Sequence, residues 1–415
     1  MSESPTKTIL SLEQALTLPY ATQRFVQLGW RVIRIENTGG KGDRRAGDPN
    51  RYIGEDTGVD DLHTYFIAPN VGKEAITLNL KKKGGQELLR TIIRELGVDV
   101  FLCNTLPKRY TELGIDYATL KKANPDLIWC GVSALGPDYP NTTGYDPTMQ
   151  ALVGYMYLTG EPDRDPMLCG LPIVDLKAGD EAFAQVLLAL MEQERAKRGG
   201  RRGGKEIHIS MTQCAASWLI TALPHLQFTR DPSRLPARAG NEHRNFIPCK
   251  CYRAKDGHVF LAIGSDRQWQ KLTEIKGFEH LGKEEWKTNE GRRQDKEDIY
   301  AGIGRGLEQY TVSEFIEVCF ARNLPVAPIS SIHDVAELDF VKNNMVATHL
   351  PPVAGSDKPG RRIALFPAPV KTEFLSATHN TLGCAPRLGE HNEAVLREAG
   401  FIPEEIKKLR EDDVI

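Results

Sequence analysis

The chain predicts an α/β fold, with a large domain built on a mostly parallel sheet and a smaller α+β domain. Two observations carry this. Strand-like and helix-period segments alternate through the first third, the pattern of a parallel sheet covered on both faces. The length, 415 residues, also exceeds the roughly 250–300 at which a single core stops growing.

Taken in order, a helix-like stretch with Leu16, Ala21, Phe25 and Leu28 precedes the strand Val32-Ile33-Arg34-Ile35. Leu88, Leu89, Ile92, Ile93 and Leu96 recur at helical spacing, and residues 98–103 form the strand that follows. A short helix around 117–122 leads to a strand over 127–132. Residues 206–211 alternate as a strand, and a helix is expected from about Gln213 to Phe228. The Gly/Arg run over 195–205 reads as a solvated turn. Residues 229–247, rich in Pro, Arg, Gly and Asn, suggest a linker or binding loop. The segment 252–263 then reads as a hairpin turning at Asp256-Gly257, with helices to about Asn323. Strands and loops fill 340–385, and the tail from Glu390 to Leu409 is helical. The expected domains are 1–225 (large), 226–330 (small) and 331–415, a return that completes the large domain.

A net charge of −2 gives no general attraction to nucleic acid or an acidic membrane surface. No apolar run approaches the roughly 18 residues needed to cross a bilayer. Residues 1–8 are polar and lack an apolar signal core, so export is not expected. The eight cysteines are scattered; only Cys249 and Cys251 are close, a poor metal signature, and a reducing cytoplasm is expected. No metal is expected.

The most informative stretch is 170–188. Leu171, Ile173 and Val174 read as the end of a buried strand, and Ala178, Ala182, Phe183, Val186 and Leu187 as the helix after it. Asp175 falls at the junction, where backbone N–H groups can hold an anion. Taken alone, the segment favours a simple helix N-cap.

Several separated segments together resemble the class III CoA-transferases, the group of formyl-CoA and carnitine CoA-transferases. They are Pro19, Gln23, Leu28-Gly29 and Val32–Glu36; Asn70-x-Gly72-Lys73 and Ile76–Lys81; Asn104; Leu113-Gly114; Asn124-Pro125; Gly136-Pro137; the Asp175 segment; Gly204–Ser210; and Gly389-Glu390-His391. Each match alone is weak, but in order they span essentially the whole chain. The resemblance implies a Rossmann-like large domain, an interlocked-ring dimer and Asp175 as the nucleophile of a covalent aspartyl-CoA intermediate. It implies acyl-CoA and a free carboxylic acid as substrates. It places Leu78, Lys81 and Asn104 at the cofactor. Asn37 and Glu112 stand where the formyl-CoA enzyme has CoA-binding arginines, Thr105 where it has an aromatic and Ser133 where it has a lysine. Arg44 and Arg45, with Lys108 and Arg109, are close enough in sequence to substitute. Leu16 replaces a glutamine beside the formyl-type site, which argues against formate or oxalate. A succinyl-CoA donor and a larger acid, a substituted succinate such as benzylsuccinate, suit the change.

Two other readings stay open. The missing arginines fit an active subunit that needs a related partner chain, so homodimer and heteromer both stand. An α-methylacyl-CoA racemase shares the fold, but its Gly-His-Asp motif is Gly144-Tyr145-Asp146 here. A tyrosine of pKa about 10 is a poor base near neutral pH. The histidines 63, 208, 225 and 243 have no partner that sequence identifies and read as structural or surface residues.

Overall fold

The computed structural model describes residues 6–39, 45–200, 203–353 and 360–415. Six strands form one sheet: β1 (Thr8–Leu12), β2 (Arg31–Glu36), β3 (Glu74–Thr77), β4 (Val100–Cys103), β5 (Ile128–Ser133) and β6 (Lys205–Ser210). Their order is β3-β2-β1-β4-β5-β6, and every neighbouring pair is parallel. The chain direction of travel reverses between β1 and β4, the switch point at which such sheets bind ligands beyond the strands' carboxyl ends.

The helices that position the site are α1 (Thr17–Val26), α2 (Lys83–Glu95), α3 (Asp146–Leu152), α4 (Ile173–Arg198) and α5 (Met211–Ser217). Leu88, Leu89, Ile92 and Ile93 of α2 bury against Ile33, Ile35, Ile76, Phe101 and Trp129 of the sheet. Val395, Leu396, Ile406 and Val414 join the same core, so the end of the chain completes this body.

The chain divides into two compact units, one of residues 1–153, 170–224 and 340–415, the other of 154–169 and 225–339. The boundaries expected from sequence, 225 and 330, made one excursion; the second unit also takes 154–169 and runs on to Asp339. That unit carries an antiparallel sheet of β7 (Cys249–Arg253), β8 (His258–Ala262) and β9 (Val326–Pro328). Its separate core includes Val259, Leu261, Trp269, Phe278, Ile299 and Phe315.

Three local expectations change. Leu171 is exposed and no strand precedes Asp175; the helix begins at Ile173, directly after Pro172. Proline has a fixed φ and no N–H, which suits a helix start, and two β-branched residues after it are too few to set a strand. The helix expected over 213–228 is broken into α5, a 3-10 turn at Trp218–Thr221 and a short helix at His225–Phe228. Pro224 stands before that last piece and breaks the helical hydrogen bonding. β1 and β3, neither expected, complete the sheet.

Candidate active site

A cavity of about 630 Å³ opens beyond the carboxyl ends of β1, β2, β3 and β4. Leu78, Lys81 and Asn104, the three residues expected at the cofactor, all line it. So do Asn37 and Thr105, and Arg109 contributes a guanidinium. Glu112 faces Arg109 across 3.5 Å rather than the cavity, so it screens that cation instead of repelling an anionic ligand directly. Of the four cations expected as substitutes, Arg109 lines the cavity, Arg45 is exposed and neither it nor Lys108 is among the cavity's described lining residues, and Arg44 lies outside the described residues. The cavity's cationic side chains are therefore Lys81 and Arg109, among the described residues.

Asp175 does not line this cavity; a short loop links the two. Gln14 and Ala15, between β1 and α1, are held by side chains at every backbone polar group. Asn104 accepts from the Gln14 N–H at 3.2 Å and donates to the Gln14 carbonyl at 2.8 Å. Asp48 accepts from the Ala15 N–H at 3.1 Å, and Asn50 donates to the Ala15 carbonyl at 2.9 Å. These bonds hold Ala15 at φ +58°, a left-handed conformation that costs an alanine roughly 1–2 kcal/mol. The loop delivers Thr17, the first residue of α1, whose hydroxyl donates to Asp175 Oδ1.

Close packing of α1 on α4 makes that contact possible. A side chain at Gly179 would come within 2.7 Å of the Thr17 carbonyl oxygen and of Tyr20. Only glycine lets the two backbones approach this closely.

Asp175 is the third residue of α4, not its N-cap; Pro172 holds the cap position and makes no side-chain cap bond. The first-turn amides of α4 are taken by another carboxylate. Asp146 Oδ2 accepts from the N–H of Val174 at 2.7 Å and of Asp175 at 3.1 Å. Burial raises the pKa of Asp175 to about 6; the Thr17 hydroxyl opposes the rise and the Asp146 charge adds to it. At neutral pH Asp175 is mostly a carboxylate, poorly solvated and more basic than an ordinary one. Such a group is an able nucleophile toward an acyl carbon.

A buried ion network backs the cavity, with Glu13, Glu36 and Asp48 reaching its lining; the sequence showed it only in part, through Lys73 of the Asn-x-Gly-Lys motif. Glu13 accepts from Lys73 at 2.8 Å, from Thr22 at 2.7 Å and from Ser11 at 2.8 Å. Arg34 bonds Asp48 at 2.9 Å, and Glu36 accepts from two nitrogens of Arg51 at 2.8 and 2.5 Å. Burial lowers the Lys73 ammonium to about 8, with Glu13 opposing the shift. Burial alone would raise Glu13, but Lys73 and Arg34 outweigh it and hold the carboxylate below its usual range. Because each charge has a partner, the network tolerates burial and fixes Asp48, which holds the loop.

Gly240, within the stretch 229–247 expected to be a linker or binding loop, sits in the second unit at φ +59°, its N–H on the Gly160 carbonyl at 2.9 Å. Among the described residues, no group of three His, Cys, Asp or Glu side chains is placed to hold a metal, and no helix is long and apolar enough to cross a membrane.

The family model for CoA-transferase family III matches residues 7–392. The succinate–glutarate CoA-transferase of Agrobacterium fabrum is 29% identical over 94% of this chain and 94% of its own. The acetyl-CoA:oxalate CoA-transferase of Acetobacter aceti is 29% identical over the same shares, 94% and 94%. A crystal structure of a CAIB/BAIF family protein from Brucella suis superposes with a TM-score of 0.77 at 26% identity, covering 95% of this chain and 98% of that one. Matched along nearly its full length in sequence and in fold, the chain belongs to CoA-transferase family III and is an enzyme of the transferase class.

Proposed function

We propose that the protein moves CoA from succinyl-CoA to a free dicarboxylic acid through a covalent thioester on Asp175. The observation that carries this is the environment of that carboxylate. It is partly buried, raised to about 6 and held at one oxygen by Thr17, with the second oxygen left for attack.

An Asp175 oxygen attacks the thioester carbonyl, the C–S bond breaks, and CoA leaves as a thiolate, giving a mixed anhydride. The thiolate then attacks Cγ of Asp175 and expels succinate, leaving aspartyl-CoA. The acceptor carboxylate attacks the same carbon and releases the thiolate. The thiolate takes the acceptor's acyl carbon and frees Asp175. No proton is consumed over the cycle, and the thioester's energy is conserved.

Lys81 and Arg109 suit the CoA phosphates, an arginine offering a planar fork to the oxygens. Leu16, the residue before Thr17, supplies an apolar side chain where the formyl-type enzyme has an amide, which favours an acid with a methylene spacer. Glutarate fits that chemistry, and it is in the name of the Agrobacterium relative. Exposed Leu188, Met191, Trp218, Ile220 and Leu223 on the first unit favour a second copy as partner. The eight cysteines are scattered along the chain and four of them, Cys103, Cys130, Cys214 and Cys319, are buried, a usage that favours a reducing compartment such as the cytoplasm.

The test is intact-protein mass spectrometry after succinyl-CoA and hydroxylamine, with glutarate transfer assayed in parallel. A hydroxamate on Asp175, absent from Asp175→Ala, is expected. Full transfer by Asp175→Ala would overturn the nucleophile. Transfer to short monocarboxylic acids alone would overturn the substrate class.

A further inference from the structure

Asp146 is a second buried carboxylate at the start of α4, only 5% exposed, and it lines no part of the cavity among the described residues. While Oδ2 takes the N–H groups of Val174 and Asp175, Oδ1 accepts from Gln150 Nε2 at 2.6 Å. The same Gln150 amide donates to the Leu171 carbonyl at 3.2 Å. One residue thus clips the first turn of α3 onto the first turn of α4.

The position it fills is the one an aspartate in Asp175's place would ordinarily use. Free first-turn amides and the positive end of the helix dipole attract a carboxylate from the same turn. With those amides occupied, Asp175 turns off its own helix end and onto α1.

We infer that Asp146 is a positioning residue for CoA transfer: by filling the first-turn amides of α4 it holds the Asp175 carboxylate on Thr17, with one oxygen presented for attack. The inference rests on Asp175 being the nucleophile. The charges around Asp175 agree with it. On α1, Tyr20 and Arg24 are both engaged with Asp180, and on α4 itself Lys177 pairs with Glu181. No cation is set against Asp175 by these pairs; the charged group that acts on it is Asp146, from α3. A neighbouring anion keeps the nucleophile basic, and a basic carboxylate attacks faster.

The test measures the rate of hydroxylamine-trapped adduct from succinyl-CoA between pH 4.5 and 8 for wild type, Asp146→Asn, Asp146→Ala and Asp175→Ala. In Asp146→Asn the amide oxygen still accepts from both N–H groups, and Gln150 can flip to present its carbonyl to the new amide at the loss of its longer bond to Leu171, so the cap on α4 is kept while the charge is removed. The acid limb is expected to move down by about one pH unit, with a lower plateau. Asp146→Ala frees the helix end for Asp175, and the plateau is expected to fall about 10–100-fold with KM for succinyl-CoA changed less than about twofold. An Asp146→Ala plateau equal to wild type would overturn the inference, and so would an acid limb that coincides with wild type in both Asp146 variants, since a purely structural cap would lower yield or rate without moving it. Adduct formation by Asp175→Ala would instead remove the nucleophile itself.

Discussion

Replacing Asp175, the proposed nucleophile, should stabilise the fold. Asp175→Asn is nearly isosteric with the protonated acid, and its carbonyl oxygen can still accept from Thr17. In the folded protein Asp175 titrates at about 6, against 3.8 for the ordinary group. The difference of roughly two pKa units corresponds to about 3 kcal/mol at 1.36 kcal/mol per unit. Partial solvent access makes this an upper bound, and about 1–3 kcal/mol is the expected gain. Because the folded-state value lies above the unfolded-state value, the folded protein holds the proton more tightly. Wild-type stability is therefore lost as pH rises from about 4 to about 6, and the loss is complete above that. Urea unfolding of both proteins in parallel, from pH 4 to 8, reads the gap between them. The curves should nearly coincide at pH 4, diverge through the window and run level from pH 7. A gap independent of pH, or a wild type more stable than the variant at pH 7, would refute the desolvated-carboxylate account.

Thr17→Val removes the hydroxyl that favours ionised Asp175, so the acid limb of the rate profile should move to higher pH and kcat should fall about 10–100-fold; Thr17→Ser should restore most of both. Lys81→Ala and Arg109→Ala should each raise KM for succinyl-CoA by about 10-fold with little change in kcat, and the wild-type KM should rise with salt; steady-state kinetics at two ionic strengths checks both.

Local pattern was enough to read much of the sheet, because β4 and β5 are largely apolar runs and β2 carries Val32, Ile33 and Ile35, all buried in a sheet covered on both faces. β1 and β3 are five and four residues long, too short for a period to stand out. Arg34 and Glu36 on β2 read as polar strand positions, yet a covered parallel sheet has no wet face, so both had to find buried partners. The resemblance pointed to Asp175, but nothing in the sequence pointed to its surroundings. Thr17 lies 158 positions from it and meets it only because α1 packs on α4 over Gly179. Asp146 stood in a motif whose interest lay in Tyr145, and nothing local marked its carboxylate as the cap of a helix beginning at residue 173.

Asn104 shows that the cavity wall and the surroundings of Asp175 are not separable in this fold. It was expected to touch the cofactor, and it lines the cavity. Yet both ends of its amide are bonded to Gln14, three residues before Thr17, a span of at most about 11 Å. Asp48 has the same double allegiance, facing the cavity while holding Ala15 and drawing its own support from Arg34. The cavity wall and the support of the Thr17–Asp175 hydrogen bond are therefore one piece of backbone. A ligand that pressed on this wall would press on Thr17, so the wall has to be rigid before anything binds. The buried ion pairs beneath it supply that rigidity, which gives a physical reason for burying six charges under a site whose own chemistry uses one carboxylate.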